Sequence, residues 1–98
     1  MIKEYEKTEK ILKAMSNKSR LQILDCIQKG ISNPGEMAKK LKRHRSTIEK
    51  HLRVLLSANI IEKAPSLNKS GQLMIRYKIR DSVKEFLVTI QNLNEIFD

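Results

Sequence analysis

The chain has 98 residues, 40% of them apolar and 32% charged, a globular balance with length for one small domain. Lys and Arg outnumber Asp and Glu by 20 to 11, and the resulting +9 points to a polyanionic partner, either nucleic acid or an anionic surface. The lone Cys26 excludes an internal disulfide and a Cys-rich metal site, and no apolar run approaches the roughly 18 residues a membrane span needs. The charged N-terminus lacks the apolar core of a signal peptide, so a soluble intracellular chain without a membrane partner is expected.

In chain order, Tyr5, Thr8, Leu12 and Met15, with Ile11 beside them, make one apolar stripe on a charged helix over about residues 2–15. Asn17 offers an N-cap to a second helix over Lys18–Lys29. Leu21, Leu24 and Ile27 are expected inward there, with Ile23 and Cys26 alongside and Gly30 at a left-handed C-terminal cap. Asn33 and Pro34 repeat the start signal, and Glu36 sits in the first turn of a short helix over Pro34–Leu41 that buries Met37, Ala38 and Leu41. Lys42, Arg43 and His44 form a turn. A fourth helix follows to about Ala58, buried through Ile48, Leu52 and Leu55 and ended by Asn59, a residue that tolerates the left-handed conformation.

The period then shortens to two. Ile60–Ala64 reads as a strand stopped by Pro65, and Leu73–Arg80 alternates between Leu73, Ile75, Tyr77 and Ile79 on one side and Met74, Arg76, Lys78 and Arg80 on the other. Ser66–Gln72 between them is a polar loop carrying Lys69 and Gly71. Asp81 caps a last helix bearing Val83, Phe86, Leu87, Ile90, Leu93 and Phe97. The whole reads as mainly α with a β-hairpin wing, in the order α, α, a short β segment, α, α, β, β, α, with residues 1–98 as one domain.

Position sharpens the charge. Between Lys39 and Arg53 stand seven basic residues and one acid, Glu49, whereas residues 81–98 hold four acids against Lys84. A short helix, a tight turn and a longer basic helix make a helix-turn-helix, whose second helix must be slim enough for the roughly 12 Å major groove and carry long polar residues at its N-terminal end. Ser46, Glu49, Lys50 and Arg53 lie opposite the apolar stripe, with Arg45 at the tip. One local signal competes: Ser46 and Glu49 match a capping box that would start the helix at Thr47 and occupy both side chains with backbone. A start near Arg45, which leaves both exposed, is the favoured reading.

At these residues the sequence resembles a known family. Ala14–Leu24 (AMSNKSRLQIL) looks like the opening signature of ArsR-type winged helix repressors, Glu36–Leu55 like their helix-turn-helix, and the stretch ending at Arg76, Tyr77, Lys78 and Ile79 like their wing. The resemblance implies a homodimer joined through the first and last helices, about residues 2–15 and 82–97, that binds duplex DNA. Carried over, Arg45, Ser46, Thr47, Glu49 and Lys50 stand at or near bases, and Lys42, Arg43, His51, Arg53, Lys69 and Arg76 face phosphates. Tyr5, Leu12, Phe86, Ile90, Leu93 and Phe97 fall at the dimer interface, where the 3-4-3-4 spacing of the last helix gives the seam of a helix pair. Metal-sensing relatives place Cys in the short helix or Asp and His in the last one; here the short helix has no Cys and the last helix no His, so no metal and no cofactor are expected.

A sequence-specific repressor, cytoplasmic and nucleoid-associated, is the reading these features favour. An architectural DNA binder and a winged-helix protein-interaction module are the alternatives. No Ser/His/Asp set, carboxylate pair or phosphate loop points to an enzyme, and no residue pattern identifies an effector.

Overall fold

Two asparagine caps set the frame of the helical half. In the computed structural model, which describes residues 5–97 apart from the side chains of Asn94 and Phe97, the side-chain Oδ1 of Asn17 accepts from the Arg20 N–H at the start of α2 (Lys18–Gln28). Asn33 accepts from the N–H groups of Gly35 and Glu36 at the start of α3 (Pro34–Leu41). Each cap satisfies donors that a helical first turn leaves without partners. Gly30 (φ 88°) and Asn59 (φ 58°) take left-handed conformations after α2 and after α4 (Arg45–Ser57), as their positions in the sequence suggest. Ahead of them runs α1 (Glu6–Met15); its expected start at Ile2 lies outside the described residues.

The core is one cluster of Ile23 and Leu24 from α2, Met37 from α3, Ile48, Leu52 and Leu55 from α4, and Ile60 and Ile61 at the entry to the hairpin, closed by Leu87. Each such side chain contributes roughly 1.5–3 kcal/mol by leaving water. Ala14 and Met15 join from α1, Ile79 from the base of the wing and Val83 from beyond it. Leu21 does not: it is exposed, and α2 turns Ile23, Leu24 and Cys26 inward instead. A run at i, i+3, i+6 drifts about 60° around a 3.6-residue helix at each step, so Leu21 and Ile27 cannot share one narrow face. Burial and the neighbouring Asp25 carboxylate push the Cys26 thiol up, the mark of an unreactive core cysteine.

Strand β1 (Ile61–Leu67) pairs antiparallel with β2 (Leu73–Ile79), Ile61 opposite Ile79 and Leu67 opposite Leu73. Pro65 does not stop β1 but pairs with Ile75 inside it. The reason is parity. The Tyr77 N–H points away from β1 to the Ser32 carbonyl, 3.0 Å away; Ile75 shares that parity, so its partner Pro65 occupies a non-hydrogen-bonded pair that demands no N–H. The loop accordingly shrinks to Lys69–Gly71. Asn68 N–H donates to the Gln72 carbonyl, Gly71 N–H closes a turn on the Asn68 carbonyl, and Gly71 itself has φ 81°, a three-residue hairpin of the glycine-bulge kind.

Two further expectations are corrected. The link between α2 and α3 forms no strand among the described residues; Ser32 meets the edge of β2 through one backbone bond, its carbonyl accepting from Tyr77 N–H. The last helix is interrupted: α5 (Asp81–Gln91) ends at Asn92, whose carbonyl accepts from Glu95 and Ile96 to begin α6 (Leu93–Phe97). Asn disfavours helix interiors because its amide competes for backbone partners. The continuous 3-4-3-4 seam is thereby broken after Ile90, and of its residues the core takes Val83 fully and Ile90 in part, together with Leu87. Asp81 is the first residue of α5 rather than its cap, and pairs with Lys84 at 2.9 Å. No helix among the described residues is long and apolar enough to cross a membrane.

Candidate nucleic-acid interface

The turn between α3 and α4 is made by Lys42, which holds a left-handed conformation (φ 54°, ψ 51°) while Arg43 N–H donates to the Ala38 carbonyl. His44 then extends, and its carbonyl accepts from both Thr47 and Ile48 N–H, so α4 begins at Arg45. No capping box forms, and neither Ser46 nor Glu49 is spent on backbone. Ile48, Leu52 and Leu55 pin one side of α4 in the core, which turns Ser46, Lys50 and Arg53 to solvent on the other, with Arg45 exposed at the tip. Thr47, Glu49 and His51 are half-buried on its flanks. Arg45 Nε lies 3.2 Å from Glu49 Oε1, and Lys42 and Arg43 are exposed beside them.

His51 turns into the fold. Its Nδ1 stands 3.4 Å from Arg20 Nη1; a guanidinium can only donate, so Nδ1 accepts and the ring is neutral with its proton on Nε2. Burial first, then the cations Arg20, Arg43 and Lys50, hold the imidazole below its ordinary value. Arg20 also donates from Nε to the Ala14 carbonyl and has no carboxylate partner among the described residues.

In the wing, Lys69 is exposed at the tip. Arg76 is half-buried and donates to Ser32 Oγ at 3.1 Å. Lys78 and Arg80 both reach Glu62 of β1, at 3.0 and 3.5 Å, so the outer face expected to be basic is partly neutralised by its own hairpin. The apolar side of the wing is covered only at its base: Ile79 is buried and Tyr77 half-buried, whereas Leu67 and Leu73 are 69% and 70% exposed. Burial first, and then the Glu49 carboxylate, push the Tyr77 hydroxyl up.

Sequence reasoning missed one feature. A groove of about 650 Å³ between α1 and α4 is lined by Lys10, Lys13, Arg20, Lys50 and Arg53 over a floor of Ala14, Val54 and Ala58. The signal was present in Lys10 and Lys13, a turn apart on α1 along the flank of its Tyr5–Leu12 stripe. Nothing local tells that α4 lies across from them. No three of His, Cys, Asp and Glu gather in a metal-binding arrangement among the described residues.

A short helix, a left-handed turn, an exposed basic helix and a following hairpin define a winged helix-turn-helix protein. Residues 15–64 match the model of a helix-turn-helix domain family. Over 93 residues, 94% of this chain and all of the relative, the sequence is 30% identical to the uncharacterized HTH-type transcriptional regulator MJ1325 of Methanocaldococcus jannaschii. The chain belongs to this family of helix-turn-helix transcriptional regulators. Its fold is similar to that of the homodimeric winged helix-turn-helix DNA-binding domain of Mb0332 from Mycobacterium bovis, a possible ArsR-family regulator (TM-score 0.77, 22% identity, 91% of this chain and 79% of that one). It is likewise similar to NolR from Sinorhizobium fredii (TM-score 0.70, 27% identity, 93% and 87%).

Proposed function

We propose that this regulator is a sequence-specific repressor that binds duplex DNA as a homodimer, with α4 in the major groove. The observation that carries the reading is the exposed face of α4: Arg45, Ser46 and Lys50 stand clear of the protein on a helix propped by Ile48, Leu52 and Leu55. Arg45, Ser46, Thr47, Glu49 and Lys50 are assigned to bases, and Lys42, Arg43, Arg53 and Lys69 to phosphates. His51, whose Nδ1 is taken by Arg20, has only its Nε2 proton to offer a phosphate, and Arg76 would leave Ser32 to reach one.

The dimer is assigned to the outer faces of α1, α5 and α6. Tyr5 at the N-cap of α1, Leu12 on α1, Phe86 on α5 and Leu93 on α6 are exposed, and Thr8 and Ile11 share a cleft with Val83 and Phe86. Phe97, also assigned there, has its side chain outside the described residues, and Ile90 is half-buried. Leu21, turned outward beside Leu93, extends the same apolar surface. So much uncovered aliphatic surface favours association, and the Mycobacterium bovis neighbour is itself homodimeric. Residues 1–98 are then assigned to a single DNA-binding domain in each subunit.

Titration of labelled duplexes by fluorescence anisotropy tests the reading. A pseudo-palindrome with half-sites about 10 bp apart is expected to bind far more tightly than its scrambled form. Six to eight phosphate contacts per dimer give a slope of log affinity against log salt of about −5 to −7. Equal affinity for both duplexes would favour architectural binding, and no binding to any duplex would favour a protein-interaction module.

A further inference from the structure

We infer that the groove between α1 and α4 is a DNA-backbone site, so that the first helix grips the phosphates flanking the recognition helix. The inference rests on the duplex-binding reading and extends it to Lys10, Lys13 and Arg20. All five charged residues lining the groove are cations, and two of them, Lys50 and Arg53, belong to α4, Arg53 among the phosphate contacts already assigned. A duplex lying against that face brings its sugar–phosphate chain alongside α1.

The groove is built for a polymer. Its floor of Ala14, Val54 and Ala58 is made of short side chains that let a bulky backbone approach. Arg20 is pinned at one edge, donating to the Ala14 carbonyl and standing 3.4 Å from His51, so its cation is held in place before any ligand arrives. Lys10 has no ion pair among the described residues, and Lys13 has only the exposed Glu9 at 3.2 Å, a pairing worth little in water and readily exchanged for phosphate. Lys13 also borders the cleft of Tyr5, Thr8 and Leu12, so one helix carries the apolar stripe and the cationic flank side by side.

The test is the salt dependence of duplex affinity for K10Q/K13Q, set against K29Q/K84Q, which removes the same charge from exposed lysines outside the groove. Losing two phosphate contacts in each subunit, four per dimer, is expected to make the slope shallower by about 3.6 and to weaken binding roughly 100- to 4000-fold at 0.1 M salt, for specific and scrambled duplexes alike. The control pair is expected to keep the native slope. Identical behaviour of the two pairs would overturn the inference, because the effect would then be that of net charge alone. Should the unmodified protein bind no duplex, the functional reading itself fails and the inference falls with it. Both pairs replace exposed side chains, and matching thermal unfolding confirms that they report on binding.

Discussion

Arg45 and Glu49 form an ion pair one helical turn apart, Nε to Oε1 at 3.2 Å, on the part of α4 assigned to bases. An exposed i,i+4 pair is worth only about 0.3–0.5 kcal/mol, so the guanidinium is oriented without being trapped. On the proposed base-contacting assignment, Glu49 presents the arginine and sets its own negative charge against the phosphates.

Replacing Glu49 by Gln is expected to raise affinity for all duplexes several-fold and to blur discrimination between them. Anisotropy titrations on matched and scrambled sites measure both. Tighter binding with discrimination unchanged would remove Glu49 from base readout.

Lys42 carries the strain of the turn. A left-handed conformation costs a side-chain-bearing residue about 1–2 kcal/mol, partly offset in a Gly variant by the greater entropy of its unfolded chain. Lys42→Gly is expected to stabilise the fold by about 0.5–1 kcal/mol in urea unfolding while weakening DNA binding through the lost cation. Lys42→Val, β-branched at the same φ, destabilises.

His51 makes stability depend on pH in the range where few other groups titrate. Its folded imidazole is held below the ordinary 6.5, chiefly by burial and then by Arg20, Arg43 and Lys50, so the native state resists a proton that the unfolded chain accepts. Its contribution is complete above about pH 7, declines as pH falls through 6.5 and levels off once the folded ring is protonated. Urea midpoints measured between pH 7.5 and 5 should fall for the native chain and fall less for His51→Gln. A parallel decline in both would assign the effect elsewhere.

Phe86 tests the dimer surface. Phe86→Glu places a charge on an exposed apolar site of α5 and is expected to yield monomers in light scattering, with duplex affinity reduced at least 100-fold because two half-sites no longer bind as one linked unit. A dimer of unchanged affinity would move the interface away from this helix.

Much of this fold is legible locally. Asn17, Asn33 with Pro34, Gly30 and Asn59 act within a few residues of themselves, through a side-chain oxygen on an orphan N–H or a tolerated positive φ, and each marks the boundary its chemistry implies. The start of the recognition helix was less legible, since the local capping box set it at Thr47 and the family resemblance near Arg45. What decided between them was the His44 carbonyl, taken by Thr47 and Ile48.

By itself, then, the amino-acid order determined the bounds of α2, α3 and α4, and that cations gather along the helix-turn-helix. Tertiary packing decided the rest: that α2 turns Leu21 outward, that Pro65 sits at a pair needing no N–H, that Glu62 neutralises the wing, and that Lys10 and Arg53 share one groove. Caps and turns are settled by neighbours along the chain. The rotation of a helix and the wall it faces are settled by residues tens of positions away, which only the assembled core brings together.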